Sequence, residues 1–361
     1  MTKPITMNMA EITRLMRAGQ LSEATQMIQS GLGQGQMPSL PGGGPDLSAL
    51  KAGAFSGGLG TSGLSLSGLS GLSGGMKTAA LPDLPQGASW DWRRHQAAGQ
   101  TRDFRIYLPA ALADDQPPAG LLLLLHGCTQ DPDDFAVGTG ILAAAEQHRL
   151  IVIAPAQPQA ANMNKCWTWF DPRHASEDGG EAAFLADLTR TVAQEFAIPP
   201  DRRFAAGLSA GGAMAVILGA VFADDFGAVA CHSGLPNGAA RDMGGAFQAM
   251  SQGGSDRGQG VGCRLFVLHG STDTTVSPRN GDAVLQQALH RQPDLQRRAA
   301  DARLEGRNTR IWRYRDAQGQ LQVESWRVEG LGHAWSGGAP QGSHTAPGPS
   351  ATQAMIRFFL D

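Results

Sequence analysis

The stretch that most constrains this chain runs Phe204-Ala205-Ala206-Gly207-Leu208-Ser209-Ala210-Gly211-Gly212. A short apolar run enters G-x-S-x-G and leads into a helical segment over residues 213–221. A strand–turn–helix context of this kind lifts a serine hydroxyl clear of the end of a sheet. Gly207 and Gly211 remove side chains that would clash in the turn. The amide of Ala210, at the start of the helix, stands where a developing oxyanion would be bound. G-x-S-x-G alone is a weak signal in a chain with 48 glycines. Its bland reading is a glycine-rich junction with an idle serine; the strand before it and the helix after it favour a nucleophile.

The rest of the chain supplies elements to surround that turn. Residues 102–108 read as an early strand, and 121–125 form an unbroken apolar run. A helix over 141–148 precedes a strand over 150–154, and 181–196 form a long amphipathic helix. Beyond the turn come strands at 228–233, 264–269, 311–314 and 324–328, a helix after Asn280 and a closing helix over 355–360. Alternating strands and helices with fully apolar strands predict an α/β fold, a mostly parallel sheet covered on both faces. This globular domain is expected to occupy residues 88–361.

Ahead of it, residues 31–87 read as a flexible Gly/Ser-rich linker, with 15 glycines and 8 serines among residues 31–75. Leu64, Leu69 and Leu72 recur in that polar tract. They suit adhesion to an apolar surface, although a plain spacer is the simpler reading. Residues 1–30 read as a helical hairpin, opened by the capping-box pair Asn8 and Glu11. The hairpin is too small to fold alone, so it needs a surface, a twin subunit or the main domain to dock on.

Composition removes several function classes. A net charge of −3 with 17% charged residues leaves no basic footprint for nucleic acid. No apolar run approaches the roughly 18 residues of a membrane span. The N-terminus shows no basic region followed by an apolar stretch and cleavage site, which favours the cytoplasm. Cys128, Cys166, Cys231 and Cys263 are unevenly spaced without C-x-x-C, so no zinc site is expected. Their state, reduced thiols or up to two disulfides, stays open.

A serine nucleophile needs a base, an orienting acid and two oxyanion donors. In the hydrolase chain order the acid and then the histidine follow the serine. The apolar strand over 264–269 ends in His269-Gly270-Ser271-Thr272-Asp273-Thr274-Thr275-Val276, which puts Asp273 in a loop at a carboxyl edge. His333 follows the next strand in a Gly-rich loop that can fold back over the turn. His232, His269 and His344 are the weaker bases, and Asp282 is the fallback acid. The loop after residue 125, His126-Gly127-Cys128, should supply the second oxyanion donor through the amide of Cys128. The Cys128 side chain itself reads as a small buried residue or as half of a disulfide with Cys166. Trp335, Trp167 and Trp169 are substrate-cleft candidates, against a packing role for each. Glu181 is either a substrate contact or, more simply, a helix-start carboxylate.

Taken together, His126-Gly127-Cys128-Thr129-Gln130, Cys166-Trp167-Thr168-Trp169-Phe170, Gly207 to Met214, His232 to Pro236, His269 to Val276 and Gly332 to Gly338 resemble the poly(3-hydroxybutyrate) depolymerase esterase family. Feruloyl and acetylxylan esterases are its wider relatives. The resemblance spans roughly residues 88–361 and implies an α/β-hydrolase fold with Ser209, Asp273 and His333 as the triad, in the type 1 order. It implies acyl transfer without cofactor or metal. Members that attack extracellular granules carry a secretion signal and a polymer-binding domain, neither visible here; they also make an extracellular location the alternative to the cytoplasm. The expected substrate is therefore a short-chain polyhydroxyalkanoate or its oligomers, with a feruloyl- or acetylxylan-type carbohydrate ester as the alternative. A reading from another class is a granule-associated or self-associating protein acting through residues 1–75.

Overall fold

The computed structural model describes residues 80–361 apart from 115 and 256–257. The expected hairpin over 1–30, and the linker over 31–87 as far as residue 79, lie outside the described residues.

A ten-stranded sheet organises the fold. Its strands are β1 (Ser89–Ala97), β2 (Gln100–Leu108), β3 (Gly120–Leu125), β4 (Leu150–Pro155), β5 (Arg203–Leu208), β6 (Ala228–His232), β7 (Arg264–Gly270), β8 (Gln296–Leu304), β9 (Arg307–Arg315) and β10 (Leu321–Val328). They lie in the order β1-β2-β4-β3-β5-β6-β7-β10-β9-β8. The central strands from β4 to β10 run parallel. Antiparallel pairs, β1 with β2 and β9 with β8, close the two edges. The sheet is therefore mixed around its expected parallel centre.

Alternate residues of the central strands feed two cores. Leu121, Leu123, Leu125, Ile151 and Ile153 face one, while Leu122, Leu124 and Val152 face the other. The first core is covered by α3 (Gly180–Glu195), α4 (Ala210–Val221), α5 (Met243–Gln252) and α6 (Arg279–Arg291). The second is covered by α1 (Pro132–Thr139), α2 (Ile141–His148) and α7 (Ala351–Leu360). Burial on both faces is why these strands read as unbroken apolar runs. Asp131 caps α1 by accepting from Asp134 N–H at 3.0 Å, with Pro132 at the first helical position. That cap ends the loop after β3, the loop expected to carry an oxyanion donor.

Strand order reverses direction at β3. From it the chain moves to β4 on one side, then returns to β5 on the other and continues outward. Ligands of open α/β sheets gather at the carboxyl ends flanking such a switch point. Leu125 of β3 pairs with Gly207 of β5, so the 126–130 loop and Ser209 emerge side by side there.

Candidate active site

Ser209 sits between β5 and α4 with φ 57° and ψ −118°, a conformation non-glycine residues rarely adopt. Holding it costs about 1–3 kcal/mol, which the surrounding contacts must offset. Ser209 N–H donates to His232 O at 2.9 Å, and Ser209 O accepts from Ala213 N–H at 2.9 Å. The glycines are needed for space: a Cβ on Gly207 would collide with the Gly211 backbone, and one on Gly211 with the Leu125 and His126 carbonyls. Gly211→Ala is accordingly expected to destabilise the fold by about 1–3 kcal/mol through overpacking. A lowered urea midpoint would register this, and an unchanged midpoint would contradict the contact.

Asp273 and His333 meet although they are sixty positions apart, with His333 Nδ1 2.7 Å from Asp273 Oδ2. Asp273 Oδ1 accepts from the amides of Thr275 and Val276 at 3.0 and 2.9 Å. His269 Nε2 stands 3.4 Å from Oδ2 and donates to Val276 O at 2.9 Å. Burial pushes the Asp273 carboxyl up, but hydrogen bonds from His269 and His333, the His333 charge and the Val276 amide outweigh it. Asp273 is thus held well below the usual carboxylate range and stays ionised. A carboxylate at Oδ2 makes Nδ1 of His333 the donor, which leaves the lone pair on Nε2. The depressed value also sets a stability slope. The Asp273 contribution is fully present above the unfolded carboxylate value of about 4 and drains away as pH falls towards the folded value. Between pH 4 and pH 2 the wild type should therefore lose more of its urea midpoint than Asp273→Asn; parallel losses would refute the assignment.

The 126–130 loop packs directly on the Ser209 turn. A Cβ on Gly127 would lie 3.7 Å from Ser209 Cβ. Ala210 is the first residue of α4, so its N–H is one of the donors a helix leaves unpaired. The Cys128 N–H likewise has no protein acceptor among the described residues. Loop position is fixed from several sides. Gln130 Oε1 accepts from Gly127 N–H at 2.9 Å, Thr129 N–H donates to Asn164 O at 2.6 Å, and Trp167 Nε1–H donates to His126 O at 3.0 Å. Cys128 is disulfide-bonded to Cys166, which resolves the two readings of its side chain and ties the loop to the segment beyond β4. Cys231 and Cys263 are free, and burial pushes both thiols up to about 12. Ser209 Oγ makes no hydrogen bond among the described residues, to His333 or to any other side chain.

The profile of the family described as Esterase PHB depolymerase matches residues 102–311. The chain belongs to that family. It is 28% identical over 261 residues to a poly(3-hydroxyalkanoate) depolymerase C of Paucimonas lemoignei, covering 68% of this chain and 60% of the other. It is 28% identical over 273 residues to a poly(3-hydroxybutyrate) depolymerase of Ralstonia pickettii, covering 68% and 54%. The chain thus spans a little over half the length of these relatives. A feruloyl esterase B of Thermothelomyces thermophilus is 27% identical over 202 residues, half of this chain and 67% of that one. Among solved structures, an acetyl xylan esterase from Aspergillus awamori superposes with a TM-score of 0.56 at 20% identity, covering 75% of this chain and all of the other. That likeness supports the α/β-hydrolase fold.

Within this PHB depolymerase family fold, the three candidate tryptophans are placed as packing residues. Trp335 is 2% exposed; its indole N–H donates to Thr352 Oγ1 at 3.0 Å and its ring stacks on His232. It packs inside the fold beside the His333 loop rather than forming an open wall. Trp167 is wholly buried, and Trp169 packs edge-on against Phe170 in the same core. Glu181 is also buried, paired with Arg102 at 3.1 Å and accepting from Thr168 N–H at 2.7 Å. Its carboxylate organises the loop before α3 and does not face a cleft. Asp282 is exposed and paired with Arg327, with no hydrogen bond to His333 among the described residues. Sequence reasoning missed Gln130, whose amide links the oxyanion loop to Asp134 and to Ser343 O. It lay inside the quoted His126–Gln130 block, but only the folded tail beyond residue 340 reveals its partners.

Proposed function

We propose that this chain is a carboxylic ester hydrolase acting on polyhydroxyalkanoate chains or their oligomers. The observation that carries the chemistry is the 2.7 Å Asp273–His333 contact on the edge where Ser209 is held in a strained turn. Ser209 Oγ attacks the ester carbonyl while His333 Nε2 takes its proton, and Asp273 fixes the imidazole and offsets its charge. The amides of Ala210 and Cys128 receive the oxyanion. His333 then protonates the departing alcohol, and water attacking through the same base releases the acid and restores Ser209. No group beyond these residues is required for the steps written.

The substrate class rests on the two hydroxyalkanoate depolymerases, whose similarity extends over 68% of this chain against 50% for the feruloyl esterase. The Cys128–Cys166 disulfide supports an oxidising compartment rather than the cytoplasm favoured by the N-terminal sequence. A panel of 3-hydroxybutyrate oligomers, amorphous polyhydroxybutyrate and methyl ferulate tests the assignment. Oligomer or polymer should be cleaved with the higher kcat/KM; cleavage of ferulate alone would transfer the enzyme to the carbohydrate-ester branch.

A further inference from the structure

His232 ends β6, and its groups reach two different parts of the site. Its carbonyl accepts Ser209 N–H at 2.9 Å, which holds the nucleophile's own backbone. Its ring Nε2 accepts Ser336 N–H at 3.1 Å. The ring also stacks on Trp335, with centroids 4.9 Å apart and planes 23° from parallel. Trp335 and Ser336 follow His333 almost directly, so one side chain grips the base loop while the same residue's carbonyl grips the elbow.

The partners fix the tautomer. Ser336 N–H can only donate, so Nε2 carries the lone pair and the proton resides on Nδ1, 3.1 Å from Ser233 Oγ. The imidazole stays neutral: burial lowers its basicity most, the charges of His269 and His333 lower it further, and Asp273 opposes them. With its lone pair already engaged, His232 is not free to act as the base itself.

Resting on the roles assigned to Ser209 and His333, we propose that His232 is a positioning residue that sets the nucleophile and the base in register. The other hydrogen bonds recorded for residues 333–337 run to Gly332, Asp273 and the chain between 344 and 352. Those partners hold the loop to the acid and to the tail. His232 alone among them belongs to the strand beside the elbow, and its carbonyl is bonded to Ser209. Since Ser209 Oγ and His333 are not themselves bonded, this bridge is a direct tie between their two loops, beside the Asp273 contact. A displacement of about 1 Å in such a pair can lower turnover on the order of 100-fold.

Two substitutions separate positioning from packing. His232→Phe keeps a ring against Trp335 but removes the acceptor for Ser336. His232→Gln discards the ring and retains a carbonyl oxygen where Nε2 stood. With p-nitrophenyl butyrate as substrate, kcat of the Phe variant should fall by about 10- to 100-fold while KM changes little. The Gln variant should recover most of that loss despite its poorer packing. The rate at which a phosphonate ester labels Ser209 should follow kcat in both. If the Phe variant does not fold by near-ultraviolet circular dichroism, His232→Asn, too short to reach Ser336, takes its place against Gln. A Phe variant with wild-type kcat, or a Gln variant no faster than Phe or Asn, overturns the proposal. Ser209→Ala is assayed beside them: if it kept activity, the triad reading would fail instead, and the two failures are distinct.

Discussion

Ser209→Ala is expected to lose ester hydrolysis by on the order of 10⁴- to 10⁶-fold in kcat, with KM for a soluble ester little changed. The covalent route disappears with Oγ, and what remains is stabilisation of a water attack by the two oxyanion amides. The fold should not suffer. Ser209 Oγ makes no hydrogen bond among the described residues, and alanine meets the same positive φ as serine. Thermal unfolding of the variant should therefore match the wild type within the small range of a substitution that removes no partner. Mass spectrometry supplies the second arm. A slowly deacylated ester should add one acyl group to the wild type and none to the variant. Retention of more than a few per cent of kcat, or acylation of the variant, would place the nucleophile elsewhere.

The elbow was legible because its requirements are local. An apolar strand, two glycines where backbones touch and a helix start all lie within one short stretch, and the structure keeps them there as β5, Ser209 and α4. Asp273 and His333 could be ranked for a similar reason: each follows a core strand in the expected order, and parallel strands deliver their carboxyl ends to one edge. β1 and β8 were not legible. β8, Gln296–Leu304, is exposed along most of its length, and β1 buries only Trp90 and exposes Asp91, Trp92, Arg94 and Gln96. An edge strand without a buried face carries no alternation to read. Hairpin pairing with β2 and β9 creates both strands, and that information is tertiary.

The tryptophans illustrate a different limit. A large aromatic two positions past the base suggests a cleft wall, yet the same residue can pack inside the fold beside its loop. Trp335 does the latter because Phe135 of α1 and His232 of β6 converge on it, three segments that nothing in the sequence brings together. The cysteines behave alike. Four thiols leave the pairing open, and only the folded loops bring Cys128 against Cys166 while keeping Cys231 buried and single. Local patterns thus picked out the candidate triad, whereas the contacts that hold its loops join strands far apart in the sequence.

Asp273→Asn is the sharper test of that triad, because the hydrogen bonds dictate how the amide must turn. Oδ1 of Asp273 faces the N–H groups of Thr275 and Val276, so the Asn oxygen has to occupy that side. The amide NH₂ then points at His333 Nδ1, where the carboxylate Oδ2 stood. A donor in that place requires Nδ1 to become the acceptor and moves the ring proton to Nε2. The base then has no lone pair to receive the Ser209 proton, and the positive charge it would gain has lost its counter-ion. His269 Nε2–H, 3.4 Å from the same oxygen position, would also meet a donor. A loss on the order of 10⁴ in kcat is expected, with KM nearly constant. Asp282→Asn is the control: its carboxylate is exposed and paired with Arg327, so kcat should stay within about twofold. The reverse pattern, a silent Asp273 variant beside a dead Asp282 variant, would show that the acid had been assigned to the wrong loop.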